Sequence, residues 1–393
     1  MTKRERLAAA IAGRPVDRLP VTLWRHFFVE EVSREGLVGA MLRWQRTCDW
    51  DFLKINPRAS YHVEDWGNRY ESSGSEHVPP TLVHARIRSP DDFRRLDRLA
   101  PGPQAPVLAD HLAAVADLRK ALGPDVPMLM TVFTPMSIAA DLAGGPQDLA
   151  ALIAQDPPLV HVGLRVITDT FTDFAARCVE AGADGIFLAT THMATRANFT
   201  AEQYEEFGRP YDLEVLAAVR DAPLNLLHVC KAQALVRELA DYPVPLLNWD
   251  TAEPSNPGLA DMLPLLERGG SPDRTCSECR VQPNSGCGTA GLSSRGDHRG
   301  PSATAGQASR ATPRARTPNT YPDPLRGSGK ALVGGLNRRL FTEPGGTEAL
   351  LRQARAARDS MAGRPFVLGS TCTIDTRAAP AAVRAVREFV ETQ

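Results

Sequence analysis

No apolar run in this 393-residue chain approaches the roughly 18 residues that a membrane-spanning helix needs, so no span is expected. Neither sign of charge dominates. A formal net charge of -1 gives no reason to expect a nucleic acid or an anionic membrane surface as partner. No export leader is expected either, because Arg4, Glu5 and Arg6 are followed only by the short apolar stretch 7–12. Seven cysteines, an odd number without an export signal, argue against a disulfide framework and for reduced thiols in the cytoplasm. No Gly-x-Gly-x-x-Gly turn opens a helix, which counts against a doubly wound dinucleotide-binding sheet. A small molecule is left as the expected substrate.

What the chain does have is 43% hydrophobic residues and a regular alternation of apolar runs with amphipathic stretches. Strands are expected near 20–24, 51–55, 127–133, 183–189, 224–229, 244–249, 331–336 and 365–369. Most are continuously apolar, as in a parallel sheet buried on both faces. Helices are expected at 108–122, 159–180, 201–219, 232–240, 257–267 and 347–361, after a short opening helix that Thr2 and Glu5 cap and Gly13 ends. Eight strands interleaved with helices predict an α/β fold, a (β/α)8 barrel.

In such a barrel the chemistry gathers where strands end. His228 and Cys230 end the fifth run, two residues apart and so on one face of a strand. With Cys372, after the eighth run, they make a three-ligand zinc site with one position open, the arrangement of catalytic zinc. The plain alternative is a buried histidine and two inert core thiols. Other strand ends supply Asp250 and His192 as candidate catalytic groups and Arg25, His26, Asn56 and Thr190 as candidate substrate contacts. Asp65, in the loop beyond Asn56, joins the latter set. Asp250 fits equally as an N-cap of the next helix, and His192 as a plain surface histidine. Gly334 and Gly335 suggest a phosphate loop less than glycine kept for close packing in a barrel strand.

Residues 270–329 break the pattern. They are rich in Gly, Pro, Ser, Thr and Arg, contain no Lys, and lack the apolar surface that would offset chain entropy. Removing them joins a helix and its glycine stop directly to the seventh strand, so 1–269 and 330–393 are expected to form one barrel around a low-complexity insertion between helix 6 and strand 7. Cys276, Cys279, Cys287 and His298 imitate a zinc knuckle, but with irregular spacing and no supporting core.

Three stretches resemble the uroporphyrinogen decarboxylase superfamily: Thr2 to Arg6 continuing through Gly13 to Val21, Phe199 to Phe207 with Pro210 and Tyr211, and Gly369 to Val386. The resemblance covers nearly the whole chain outside 270–329 and implies a (β/α)8 barrel with a deep cleft at the strand C-termini. The decarboxylases of that superfamily carry two arginines four apart; Arg25 matches the first and Val29 replaces the second. Their C-terminal Gly-His-Gly is here Ser370-Thr371-Cys372. An apolar side chain cannot pair a buried carboxylate, so both losses count against a porphyrinogen substrate.

The superfamily's other branch, the cobalamin-associated methyltransferases acting on thiols, carries His-x-Cys on the fifth strand and a further Cys after the eighth. His228, Cys230 and Cys372 match that set, while Lys231 stands where the family more often has glycine. The resemblance implies zinc, a methyl donor such as a corrinoid on a partner protein, and transfer to a zinc-bound thiolate. The alternatives are a uroporphyrinogen decarboxylase-type carbon–carbon lyase and an inactive relic disrupted by the insertion.

Overall fold

A computed structural model describes residues 1–268 and 330–392. The region 270–329, with its four candidate knuckle residues, lies outside the described residues. Eight parallel strands form one sheet: β1 (Val21–Thr22), β2 (Leu53–Ile55), β3 (Met128–Phe133), β4 (Gly185–Ala189), β5 (Leu226–Val229), β6 (Leu246–Trp249), β7 (Ala331–Leu336) and β8 (Phe366–Ser370). Neighbours pair in chain order from β2 through β8, and β8 pairs back with β1. Each expected strand contains one of these, except that β8 runs one residue beyond its expected end, to Ser370. The expected (β/α)8 barrel is therefore what the chain forms.

The seam between β1 and β2 is bridged by one backbone bond and two bonds that involve side chains. Asp51 N donates to Val21 O at 3.0 Å, Val21 N donates to Asp51 Oδ2 at 2.8 Å, and Thr22 Oγ1 donates to Phe52 O at 2.9 Å. Asp51 is fully buried, and Arg6 and Arg18 neutralise it at 2.7 Å each. Arg6 arrives on the opening helix Lys3–Ile11, which the Thr2–Glu5 capping box starts. Leu7, Ala8 and Ile11 of that helix join Leu224, Leu246 and Ala331 in one buried cluster, so the helix packs where strands begin.

Two expected helices come out differently. The stretch 201–219 is split at Gly208 into Ala201–Phe207 and Arg209–Ala218, with Pro210 in the first turn of the second. The stretch 232–240 folds as successive turns. Lys231 and Gln233 take φ of +77° and +52°, which no right-handed helix accommodates, and Ser255 and Asn256 side chains accept the Gln233 and Ala234 amides. A hairpin, Arg69–Glu71 with Thr81–His84, follows β2; beside it His77 Nδ1 meets Thr376 Oγ1 at 3.0 Å beyond β8. Among the described residues no helix is long and apolar enough to cross a membrane.

Candidate metal centre at the barrel mouth

β5 and β8 are three strands apart, yet their ends meet. Cys230 Sγ lies 3.4 Å from Cys372 Sγ, and Cys372 Sγ lies 3.5 Å from His228 Nε2. All three ligand atoms fall within 4.8 Å of one another. Ser370 Oγ donates to Cys372 O at 2.6 Å and Thr371 N to Leu336 O at 2.9 Å, which bends the chain beyond β8. Cys372 is buried and Cys230 only partly so.

His228 is oriented by Asn248, its partner across the β5–β6 register. Asn248 Nδ2 donates to Val333 O and Ser370 O at 2.8 and 3.1 Å, so Oδ1 is left to accept from His228 Nδ1 at 2.5 Å. That leaves the Nε2 lone pair facing the thiols. The two sulfurs divide their protons unequally. The Cys230 S–H beside it and the facing His228 hold the Cys372 thiol well below its ordinary range. Cys230, donating to that thiolate and buried, is pushed up in turn.

Lys231 adopts a backbone conformation that favours glycine, which accounts physically for glycine being the commoner residue there in the resembled family. His192 stands exposed at the rim, where desolvation and then Lys231 lower its basicity while Asp141 and Cys372 oppose them. Asn56 and Thr190 are buried and keep Nδ2 and Oγ1 without a partner among the described residues. His26 Nδ1 meets the buried Glu31 carboxylate at 3.0 Å, and the Arg25 guanidinium lies 4.7 Å from the Phe27 ring centre. Glu31 also accepts from Phe27 N and Ala59 N, tying the loops after β1 and β2 together.

Two acidic candidates are taken up by the backbone. Asp65, the expected substrate contact, accepts from Val107 N and Leu108 N at 3.1 and 2.9 Å at the start of the helix Pro106–Leu122. Asp250 Oδ1 accepts from Ala252 N at 3.2 Å in a turn, well ahead of the helix Leu259–Arg268. It caps that turn and not the helix. Gly335, at φ +96° with room for no Cβ beside Ala357, is a packing glycine as expected.

Sequence reasoning missed Asn248 and Lys54. The first is an ordinary strand asparagine until its partners are known. The second had a signal, a lysine within the apolar run of β2, in step with Asn56 two residues on.

Residues 72–261 match the family described as uroporphyrinogen decarboxylase (URO-D). A methylcobamide:CoM methyltransferase of Methanosarcina barkeri is 25% identical over 272 residues, 61% of this chain and 73% of that protein. A uroporphyrinogen decarboxylase of Aromatoleum aromaticum is 28% identical over 134 residues, only 33% of this chain and 36% of that protein. A solved methyltransferase structure from Methanosarcina mazei superposes with a TM-score of 0.70 at 18% identity, covering 100% of this chain and 99% of that one, which speaks for the fold. The domain match covers just under half of the chain, and the methyltransferase likeness reaches further along it than the decarboxylase one: the chain is similar to the uroporphyrinogen decarboxylase family, with its longer likeness to the methyltransferases.

Proposed function

We propose that this protein is a zinc-dependent methyltransferase that moves a methyl group from a corrinoid, carried by a partner protein, to a small thiol. The observation that carries the reading is the meeting of His228 Nε2, Cys230 Sγ and Cys372 Sγ within 4.8 Å. Two soft thiolates and an imidazole suit zinc, and three protein ligands are the number that leaves a position for substrate. Zinc, when bound there, would hold an incoming thiol as thiolate near neutral pH. His228, Cys230 and Cys372 would be its ligands.

The chain's own residues supply the rest. Asn248 keeps the imidazole in the tautomer that offers Nε2. Partial exposure of Cys230 leaves one side of the group open to the cleft. His192 at the rim and the unpartnered polar atoms of Asn56 and Thr190 are the side chains offered to substrate, with Arg25 and His26 on the first loop. The corrinoid donor rests on the methylcobamide-dependent relative. A decarboxylase reading fares worse: Val29, in place of the second arginine, is 41% exposed, so no cation reaches the cleft from that position.

Metal analysis of the purified protein, after reconstitution with zinc, tests the reading. About one zinc per chain is expected, with loss in Cys372→Ala. A folded wild type that takes up no zinc would overturn it, and turnover of uroporphyrinogen at about 1 per second or faster would replace it with the lyase.

A further inference from the structure

The sulfurs of Cys230 and Cys372 lie 3.4 Å apart although 142 residues separate them in the chain. Each cysteine stands just past the paired part of its strand. β5 pairs with β6 as far as Val229, and β8 pairs with β7 as far as Ser370. Neither cysteine therefore belongs to a ladder. The approach that a disulfide needs, from 3.4 to about 2.0 Å, falls on two strand-end loops and leaves the sheet as it is.

Among the described residues no other pair of cysteines is in contact. Cys48 ends the helix Arg34–Cys48 and Cys178 lies within the helix Pro157–Glu180, and both are buried. Burial pushes the Cys48 thiol up to about 11 and raises that of Cys178 as well, so both stay protonated and unreactive. Cys230 is different, being partly exposed to the cleft. A small oxidant entering the barrel mouth meets Cys230 first, with Cys372 directly behind it.

We propose that Cys230 and Cys372 are a redox modification site, joined as a reversible disulfide when a hydroperoxide reaches the cleft. Cys230 sulfur attacks the peroxide: an S–O bond forms, the O–O bond breaks, and an alcohol or water leaves, giving a sulfenic acid. Cys372 then attacks the Cys230 sulfur. The S–S bond forms, the S–O bond breaks, and the hydroxyl departs as water with the Cys372 proton. Two thiols lose two electrons to one peroxide, and an external dithiol reverses the step by exchange. Only a thiolate is a metal ligand, so the closed pair would leave His228 as the sole remaining ligand of the three. That consequence rests on the zinc reading above, whereas the bond itself needs only the two cysteines.

Peptide mapping of the full-length protein tests the bond, with hydrogen peroxide as probe and zinc-free and zinc-loaded samples side by side. After alkylation and tryptic digestion without reductant, the peptides carrying Cys230 and Cys372 are expected to run joined in the zinc-free sample. Dithiothreitol is expected to separate them, and Cys48 and Cys178 to stay free. In the zinc-loaded sample a chromogenic chelator should record about one zinc released per chain in step with the linkage, and reduction should restore uptake. Cys230→Ser, which removes the sulfur open to the cleft, should leave Cys372 unoxidised under the same treatment. Both cysteines remaining alkylatable in the zinc-free wild type would overturn the site. So would Cys230 halting at a sulfinic acid, or joining Cys276, Cys279 or Cys287. Linkage that leaves zinc in place would overturn the link to the metal. Zinc uptake without any linkage removes the disulfide alone, while linkage in a protein that never takes up zinc removes the zinc reading and leaves the disulfide standing.

Discussion

Asn248 Oδ1 lies 2.5 Å from His228 Nδ1, and carbonyls of two further strands settle which way that amide points. The tautomer of the candidate ligand is therefore set by β6, β7 and β8 together. Outer partners of this kind typically contribute 10- to 100-fold in metal affinity. Asn248→Ala is expected to weaken zinc by about that factor with all three ligands in place. Competition against a chelator reads it, and unchanged affinity in a folded variant would show that the histidine needs no such guide.

A second prediction concerns Asp212, which is fully buried. Its Oδ2 accepts from Tyr204 and Tyr242 hydroxyls at 2.8 and 2.9 Å, and Oδ1 has no partner among the described residues. Burial, only partly offset by those bonds, pushes its pKa up to about 7 from 3.8. A carboxyl whose folded pKa is raised binds more protons folded than unfolded in that window. Stability from this group is thus full below about pH 4 and declines as pH rises toward 7, by on the order of 1 kcal/mol per unit. Asp212→Asn removes the titration at nearly constant volume. The variant's urea midpoint should gain on the wild type between pH 5 and pH 8; a gap that stays constant would refute the assignment.

Adjacent glycines in β7 give a paired test. A Cβ on Gly335 would lie 2.7 Å from Ala357 Cβ, at φ +96°, whereas on Gly334 it would meet nothing closer than 3.8 Å. Gly335→Ala should cost about 2–4 kcal/mol from backbone strain and overpacking. Gly334→Ala should cost less than about 1 kcal/mol. Denaturant unfolding of the two variants checks the difference, and equal costs would contradict the packing role.

The eight strands were legible because each buries both faces and so reads as an apolar run. His228 and Cys230 were legible because a strand end and a spacing of two define a face. The approach of Cys372 to them was expected from its place beyond the eighth run, though the way a closed sheet brings the ends of β5 and β8 together is not carried by spacing. The cap that Asp65 makes was not legible because the amides it accepts from lie some forty residues onward, at Val107 and Leu108. The turns at 232–240 were misread because apolar spacing there mimics a helix, while left-handed Lys231 and Gln233 leave no mark in hydropathy. Lys54 was visible as a charge within an apolar run, but its hydrogen bond to Asn56 was not.

The last prediction concerns residues 270–329. Of the parts on either side, the helix Leu259–Arg268 and β7 belong to one strand–helix–strand unit with β6. The start of β7 is held by described residues alone: Lys330 Nζ donates to Ala240 O and Tyr242 O at 2.6 and 2.7 Å, and Ala331 N donates to Pro245 O at 2.8 Å. Joining Gly269 to Lys330 leaves a helix-to-strand connection of ordinary length. It also lowers the loop-closure cost, by about 0.6 kcal/mol for each halving of the loop. The shortened chain is therefore expected to fold with equal or higher thermal stability and with its zinc content unchanged. Circular dichroism melts and metal analysis of the two proteins decide the matter. Loss of folding on deletion, or an ion held by Cys276, Cys279 and Cys287 in the full chain, would make the segment a domain of its own.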